Sequence, residues 1–100
     1  MTGRSYISVI TRIEVLGWQQ HTSGSLQDAQ DLLNRICEQP LNNEIVEECI
    51  HLRQKFSIKL PDAIIAATAL HLHLPLMTRN TADFGGIPAL ELLNPFETTA

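Results

Sequence analysis

The sequence predicts an α/β fold, a four-stranded parallel sheet with helices on both faces. Three observations predict it. Short extended, mostly apolar runs recur at Tyr6–Ile10, Ile36–Leu41, Leu74–Thr78 and Ala89–Leu93. Segments with helical spacing and helix-start signals separate the first three runs, and strands that alternate with helices form parallel sheets. The chain has 100 residues, 44% of them apolar and 18% charged, with no repeat or low-complexity stretch. That composition is globular and that length is one domain, so residues 1–100 are read as a single domain.

Tyr6–Ile10 (YISVI) is rich in β-branched and aromatic residues and reads as a buried parallel strand. Thr11 opens T-R-I-E, a capping-box pattern, so a helix is expected to start at Thr11 and to carry Ile13, Val15 and Leu16 toward Trp18. The polar stretch Gln19–Gly24 marks a loop. Ser25–Asp28 repeats the start signal, and the helix that follows places Leu26, Ala29, Leu32, Leu33 and Ile36 on one face. Ile36–Leu41 reads as a short strand that Pro40 ends or confines to an edge. Asn42 suits the cap of a helix running to about Lys55, with Ile45, Val46, Cys49, Ile50 and Leu52 apolar. Its acids (Glu44, Glu47, Glu48) precede its bases (Arg53, Lys55), the order the helix dipole favours, so a solvated face accounts for those charges. Phe56–Leu60 is extended, and Pro61 suits the first position of the next helix, where Ala66, Ala67 and Ala69 permit close packing. Leu74–Thr78 is a strand, and Asn80–Asp83 starts a helical turn that Gly85 and Gly86 break. Ala89–Leu93 has helical propensity, yet it is short and runs straight into Asn94-Pro95, so it is read as the last strand. Glu97–Ala100 reads as a loose tail.

The formal net charge is −4 and the pI is near 5.4. Charge alone therefore excludes a generic nucleic-acid binder; such work would need a local basic patch or a metal ion. Arg4, Arg12, Arg53, Lys55, Lys59 and Arg79 are the bases available to edge a groove. There is no apolar run of membrane-spanning length and no signal-peptide layout at the N-terminus. Cys37 and Cys49 have neither CxxC nor Cys/His metal spacing and read as free thiols of a reducing cytoplasm. His71 and His73 stand two apart at a helix end and fit surface or capping roles better than joint metal ligation, while His21 and His51 have no evident partners. Trp18 fits core or interface packing.

In an open parallel sheet, ligands sit beyond the carboxyl ends of the strands. Glu14 follows the first strand, and Asp83 follows the strand Leu74–Thr78. Asp62 begins a helix that feeds into that same strand; about 12 helical residues span roughly 18 Å, so its start falls near the same edge. Clustered carboxylates repel unless a cation or protons neutralise them. Oxygen-only ligands suit Mg²⁺ or Mn²⁺, and a metal so held activates water and stabilises charge on a phosphodiester. Each acid also has a plain structural explanation: Glu14 completes T-R-I-E, Asp62 gains from the helix dipole in a first turn, and Asp83 stands three residues after Asn80 like a cap partner. Spacing leaves both explanations open.

Four blocks add to this: ISVITRIEVL (7–16), KLPDAIIAATAL (59–70), TRNTADF (78–84) and LELLNP (90–95). In order and spacing they resemble the PIN-domain family, and within it the VapC-type toxins of bacterial toxin–antitoxin pairs. The likeness covers nearly the whole chain from Tyr6 on, and the block between Leu60 and Phe84 is its most specific part. The resemblance implies an Mg²⁺-dependent endoribonuclease acting on RNA, a cognate antitoxin partner and a homo-oligomer. It assigns the metal-ligand acids to Glu14, Asp62 and Asp83, and matches Thr78 and Asn80 to polar positions that order the site. Arg79, beside them, is placed to face either phosphate or solvent.

The chain departs from the family at its start. Family members begin with a strand ending in an Asp, and the strand order 3-2-1-4-5 puts that strand at the centre of the sheet. No such block precedes Tyr6, and Asp28 and Asp31, on a helix, cannot replace its acid. The expectation is a PIN-like sandwich incomplete at the N-terminus, lacking one metal ligand and impaired in cleavage. Either Tyr6–Ile10 pairs directly with Leu74–Thr78, or another chain fills the gap. The alternative function is a non-catalytic module that binds an antitoxin or a second copy.

Overall fold

The structure, a computed structural model, describes residues 5–78 and 80–94. Arg4, Arg79 and the tail Glu97–Ala100 lie outside them. The chain divides into two compact units, one up to Leu41 and one from Asn42 onward.

The first unit contains β1 (Tyr6–Ser8), α1 (Val9–Leu16), α2 (Ser23–Leu33) and β2 (Cys37–Gln39). β1 and β2 pair in parallel, with Tyr6 opposite Cys37, Ile7 opposite Glu38 and Ser8 opposite Gln39. β1 is shorter than the run Tyr6–Ile10 because the helix starts earlier than T-R-I-E indicates. The cap is Ser8, extended at φ −82° and ψ 160°, whose hydroxyl accepts a bond from the Thr11 N–H at 3.0 Å. Thr11 thus lies inside the helix, and its hydroxyl meets that of Ser8 at 3.1 Å. The second helix is shifted in the same way. Thr22 caps it through a reciprocal box with Ser25, the Ser25 N–H donating to Thr22 Oγ1 at 3.0 Å and the Thr22 N–H to Ser25 Oγ at 2.9 Å. The predicted apolar face holds for Leu26, Ala29, Leu33 and Ile36, which are half-buried, but Leu32 is exposed. Gly17 closes α1: its N–H donates to the Ile13 carbonyl at 2.8 Å, and a Cβ there would lie 2.7 Å from that oxygen.

His21, for which the sequence shows no partner, has three. One ring nitrogen meets the Val15 carbonyl at 2.7 Å, the other meets Ser25 Oγ at 2.9 Å, and Trp18 lies edge-on at 5.2 Å. The ring ties the last turn of α1 to the first turn of α2. Trp18 itself is 55% exposed and belongs to no core of the described residues.

The second unit contains α3 (Asn43–Lys55), α4 (Leu60–Leu72), β3 (Leu76–Met77), α5 (Thr81–Phe84) and β4 (Leu92–Leu93). Asn42 caps α3 as predicted, its Oδ1 accepting from the Ile45 N–H at 2.8 Å. The Asn42 amide also reaches His71 at 3.4 Å, linking the start of α3 to the end of α4. Ile45, Cys49 and Leu52 pack with Ala63, Ala66 and Ala67, and Phe84 and Ile87 complete the core. Val46 and Ile50, predicted apolar positions, are exposed. Both cysteines are free, and burial raises the Cys49 thiol pKa, with Arg53 acting in the opposite direction. α4 ends at His73, in the left-handed region at φ 55°, with the Leu74 N–H donating to the Ala69 carbonyl at 3.1 Å.

β3 and β4 pair in parallel, Leu76 opposite Leu92 and Met77 opposite Leu93. The last element is therefore a strand, as read, but two residues long, because Ala89 turns the chain at φ 67°. The predicted order of elements holds. The predicted single sheet does not: the strands form two separate two-stranded sheets, β1 with β2 and β3 with β4.

Candidate functional site

Asp62 owes its place to the start of α4. Lys59 is the N-cap, extended at φ −70° and ψ 152°, and Pro61 sets the first turn. The Lys59 carbonyl accepts from the Ala63 N–H at 2.9 Å, while its side chain makes no capping bond. Asp62 then stands half-buried in that first turn.

Asp83 is placed by the turn after β3. The Thr78 N–H donates to the Leu93 carbonyl at 2.9 Å, which extends the strand ladder. The Thr78 hydroxyl then accepts from the Asn80 N–H at 3.1 Å and shapes the turn. The Asn80 side chain forms no cap; its main-chain carbonyl instead accepts from the Asp83 N–H at 3.0 Å. The structural explanation of Asp83 as a side-chain cap partner is thereby removed.

Asp62 and Asp83 line one cleft of about 230 Å³, together with Ser57, Ile58, Lys59 and Ala82. Among the described residues, the one ion pair is Arg12 with Glu38, so neither cleft carboxylate pairs with a cation among them. Two carboxylates facing one solvent-filled space fit a hard divalent ion, since Mg²⁺ is commonly held by one or two carboxylates with the rest of its shell from water and phosphate. Asp62 and Asp83 are the residues that would hold it.

The remaining predicted residues are described by their own surroundings. Glu14 lies on α1 in the first unit, exposed, and because Ser8 caps that helix, Glu14 is not a capping-box acid. Thr78 and Asn80 shape the turn that carries Asp83 and do not line the cleft. Among the described residues no three His, Cys, Asp or Glu side chains gather closely enough to hold a metal. Sequence reasoning did not place Ser57 or Lys59 in the cleft. The available signal was K-L-P-D, which sets a cation three residues ahead of the acid.

The PIN domain family profile matches residues 2–88. The chain belongs to the PIN domain family. A ribonuclease VapC from Rickettsia bellii (strain RML369-C) is 44% identical over 41 residues, which is 41% of this chain and 31% of that relative. The matched segment thus spans under a third of the curated relative's length. Among solved structures, this PIN domain is similar to a chain of a toxin–antitoxin complex from Klebsiella pneumoniae. That match has a TM-score of 0.79 and 37% identity over 98% of this chain and 79% of the other. A chain of VapBC-1 from nontypeable Haemophilus influenzae has a TM-score of 0.73 and 27% identity, covering 91% of this chain and 74% of that one. The α/β, PIN-like fold expected from the sequence is therefore the fold observed. No helix among the described residues is long and apolar enough to cross a membrane.

Proposed function

We propose that this PIN domain is the toxin component of a VapC-type toxin–antitoxin pair, a Mg²⁺-dependent endoribonuclease that works in the cytoplasm. The observation that carries the reading is the placement of Asp62 and Asp83, two carboxylates without an ion pair among the described residues, on one cleft. A divalent ion bound there supplies a water of lowered pKa and positive charge beside the phosphodiester. Asp62 holds its place through the first turn of α4, and Asp83 through the Thr78–Asn80 turn. Glu14 is the further ligand that the family motif assigns. Two carboxylates in one cleft make a sparse site, so the cleavage expected of this chain by itself is weak.

The test is RNA cleavage by the full chain across a Mg²⁺ titration, beside Asp62→Ala and Asp83→Ala. Weak cleavage that a chelator and either substitution abolish supports the reading. Cleavage that survives chelation, or that both variants retain, overturns it.

A second reading is favoured by a separate observation. Neither α1 nor α2 has a buried residue, and Ile13, Trp18 and Leu32 are 58%, 55% and 58% exposed. In that reading the domain is a binding module whose first unit meets an antitoxin or a second copy. Metal binding without RNA cleavage, together with capture of an antitoxin, would favour it.

A further inference from the structure

We infer that Lys59 is the phosphate-holding residue of the cleft, its ammonium engaging the RNA backbone while Asp62 and Asp83 take the cation. This rests on the ribonuclease reading of the same cleft. The chain is acidic overall, at −4, so no general field draws a polyanion to it. A cleft walled by two carboxylates repels a phosphodiester still further. A bound cation offsets part of that repulsion, and among the described residues lining the cleft Lys59 is the one whose side chain adds further positive charge.

The placement of Lys59 supports that role over one as a counter-ion. A counter-ion for the acids would pair with them, yet Lys59 forms no ion pair among the described residues. As N-cap of α4 it contributes only its main chain, because an ammonium has no acceptor for the open N–H groups of the first turn. Its backbone is held by the bond from Ala63 and by the proline two residues on, and the residue lines the cleft beside both acids. A lysine meets phosphate as a point charge on a flexible stem. Such a contact positions the backbone without reading bases, so it is indifferent to sequence. Arg53 and Lys55, in the last turn of α3, do not line the cleft.

The experiment measures binding of a short fluorescent single-stranded RNA to the full chain in Mg²⁺, from about 50 to 200 mM salt. Gel analysis verifies that the RNA stays intact. Lys59→Ala is expected to weaken binding about tenfold at the lowest salt, equally for RNAs of unrelated sequence, and to reduce the slope of log K against log salt by about 0.7. Lys59→Arg is expected to restore both, and Mg²⁺ binding without RNA is expected to persist in Lys59→Ala. If Lys59→Ala leaves affinity and slope unchanged while Asp62→Ala removes Mg²⁺-dependent RNA binding, the lysine assignment falls and the ribonuclease reading stands. A loss of affinity with an unchanged slope also overturns the assignment, since a structural role predicts that pattern. A parent chain that binds no RNA at any Mg²⁺ concentration overturns both.

Discussion

His73 carries a backbone cost that its side chain does not repay. It occupies the left-handed region at φ 55° and ψ 42°, where an L-residue crowds its own carbonyl by about 1–2 kcal/mol. The bonds that fix this turn come from main-chain groups, the His73 N–H to Leu70 at 3.2 Å and the Leu74 N–H to Ala69 at 3.1 Å. Glycine keeps both bonds and removes the crowding. His73→Gly is therefore expected to stabilise the fold by about 1 kcal/mol, read as a higher urea midpoint at unchanged slope. The sequence indicated a capping place for His73 but not its conformation, because G is the usual residue there and H gives no sign of the strain. His21 is the converse case. Its partners, Val15 and Ser25, become visible only once Gly17 stops α1 and Thr22 starts α2, so a lone histidine in a polar loop revealed nothing of its role.

At the scale of elements, the α3–α4 contact shows what an alanine stripe does. Ala63, Ala66 and Ala67 are fully buried, and Ile45 and Leu52 lie with them in one core. Small residues let two helix backbones come close, and a larger side chain has nowhere to go without moving one of them. Ala66→Leu is expected to destabilise by about 1–3 kcal/mol despite adding apolar surface, measured by urea unfolding. That stripe was legible in the sequence, as were Asn42 and Pro61, because each signal acts within its own helix. Helix starts with rival signals were not. Ser8 and Thr11 stand three apart, as do Thr22 and Ser25, and in each pair the earlier residue caps, so both helices start before the pattern that first attracts notice. The cleft divides in the same way. Asp62 was legible because Pro61 fixes its turn, but Lys59 and Ser57 enter the cleft only because α5 lies against α4, a tertiary fact that no local spacing encodes.

Across the whole molecule, the two units differ in what holds them. The second has, among the described residues, a core of eight buried residues, including Ile45, Leu52 and Phe84. In the first, neither helix buries a residue, and the described contacts include caps, the His21 tie, a short ladder, the Arg12–Glu38 pair and a half-buried apolar face. That ion pair is 51% and 30% exposed, so it is worth less than about 1 kcal/mol. Apolar burial supplies most folding free energy, and segments without it open locally at low cost. Amide hydrogen exchange is therefore expected to show α1 and α2 protected at least about tenfold less than α3 and α4, with separate opening rather than one cooperative event. Equal protection in all four helices would mean that the first unit is held by something other than its own contacts. The same measurement probes the partner surface. A protein that covers Ile13, Trp18 and Leu32 removes apolar area from water in the unit that has least of it buried. Its binding should raise protection in α1 and α2 more than in α3 and α4, because a ligand stabilises most visibly the segment whose opening it forbids.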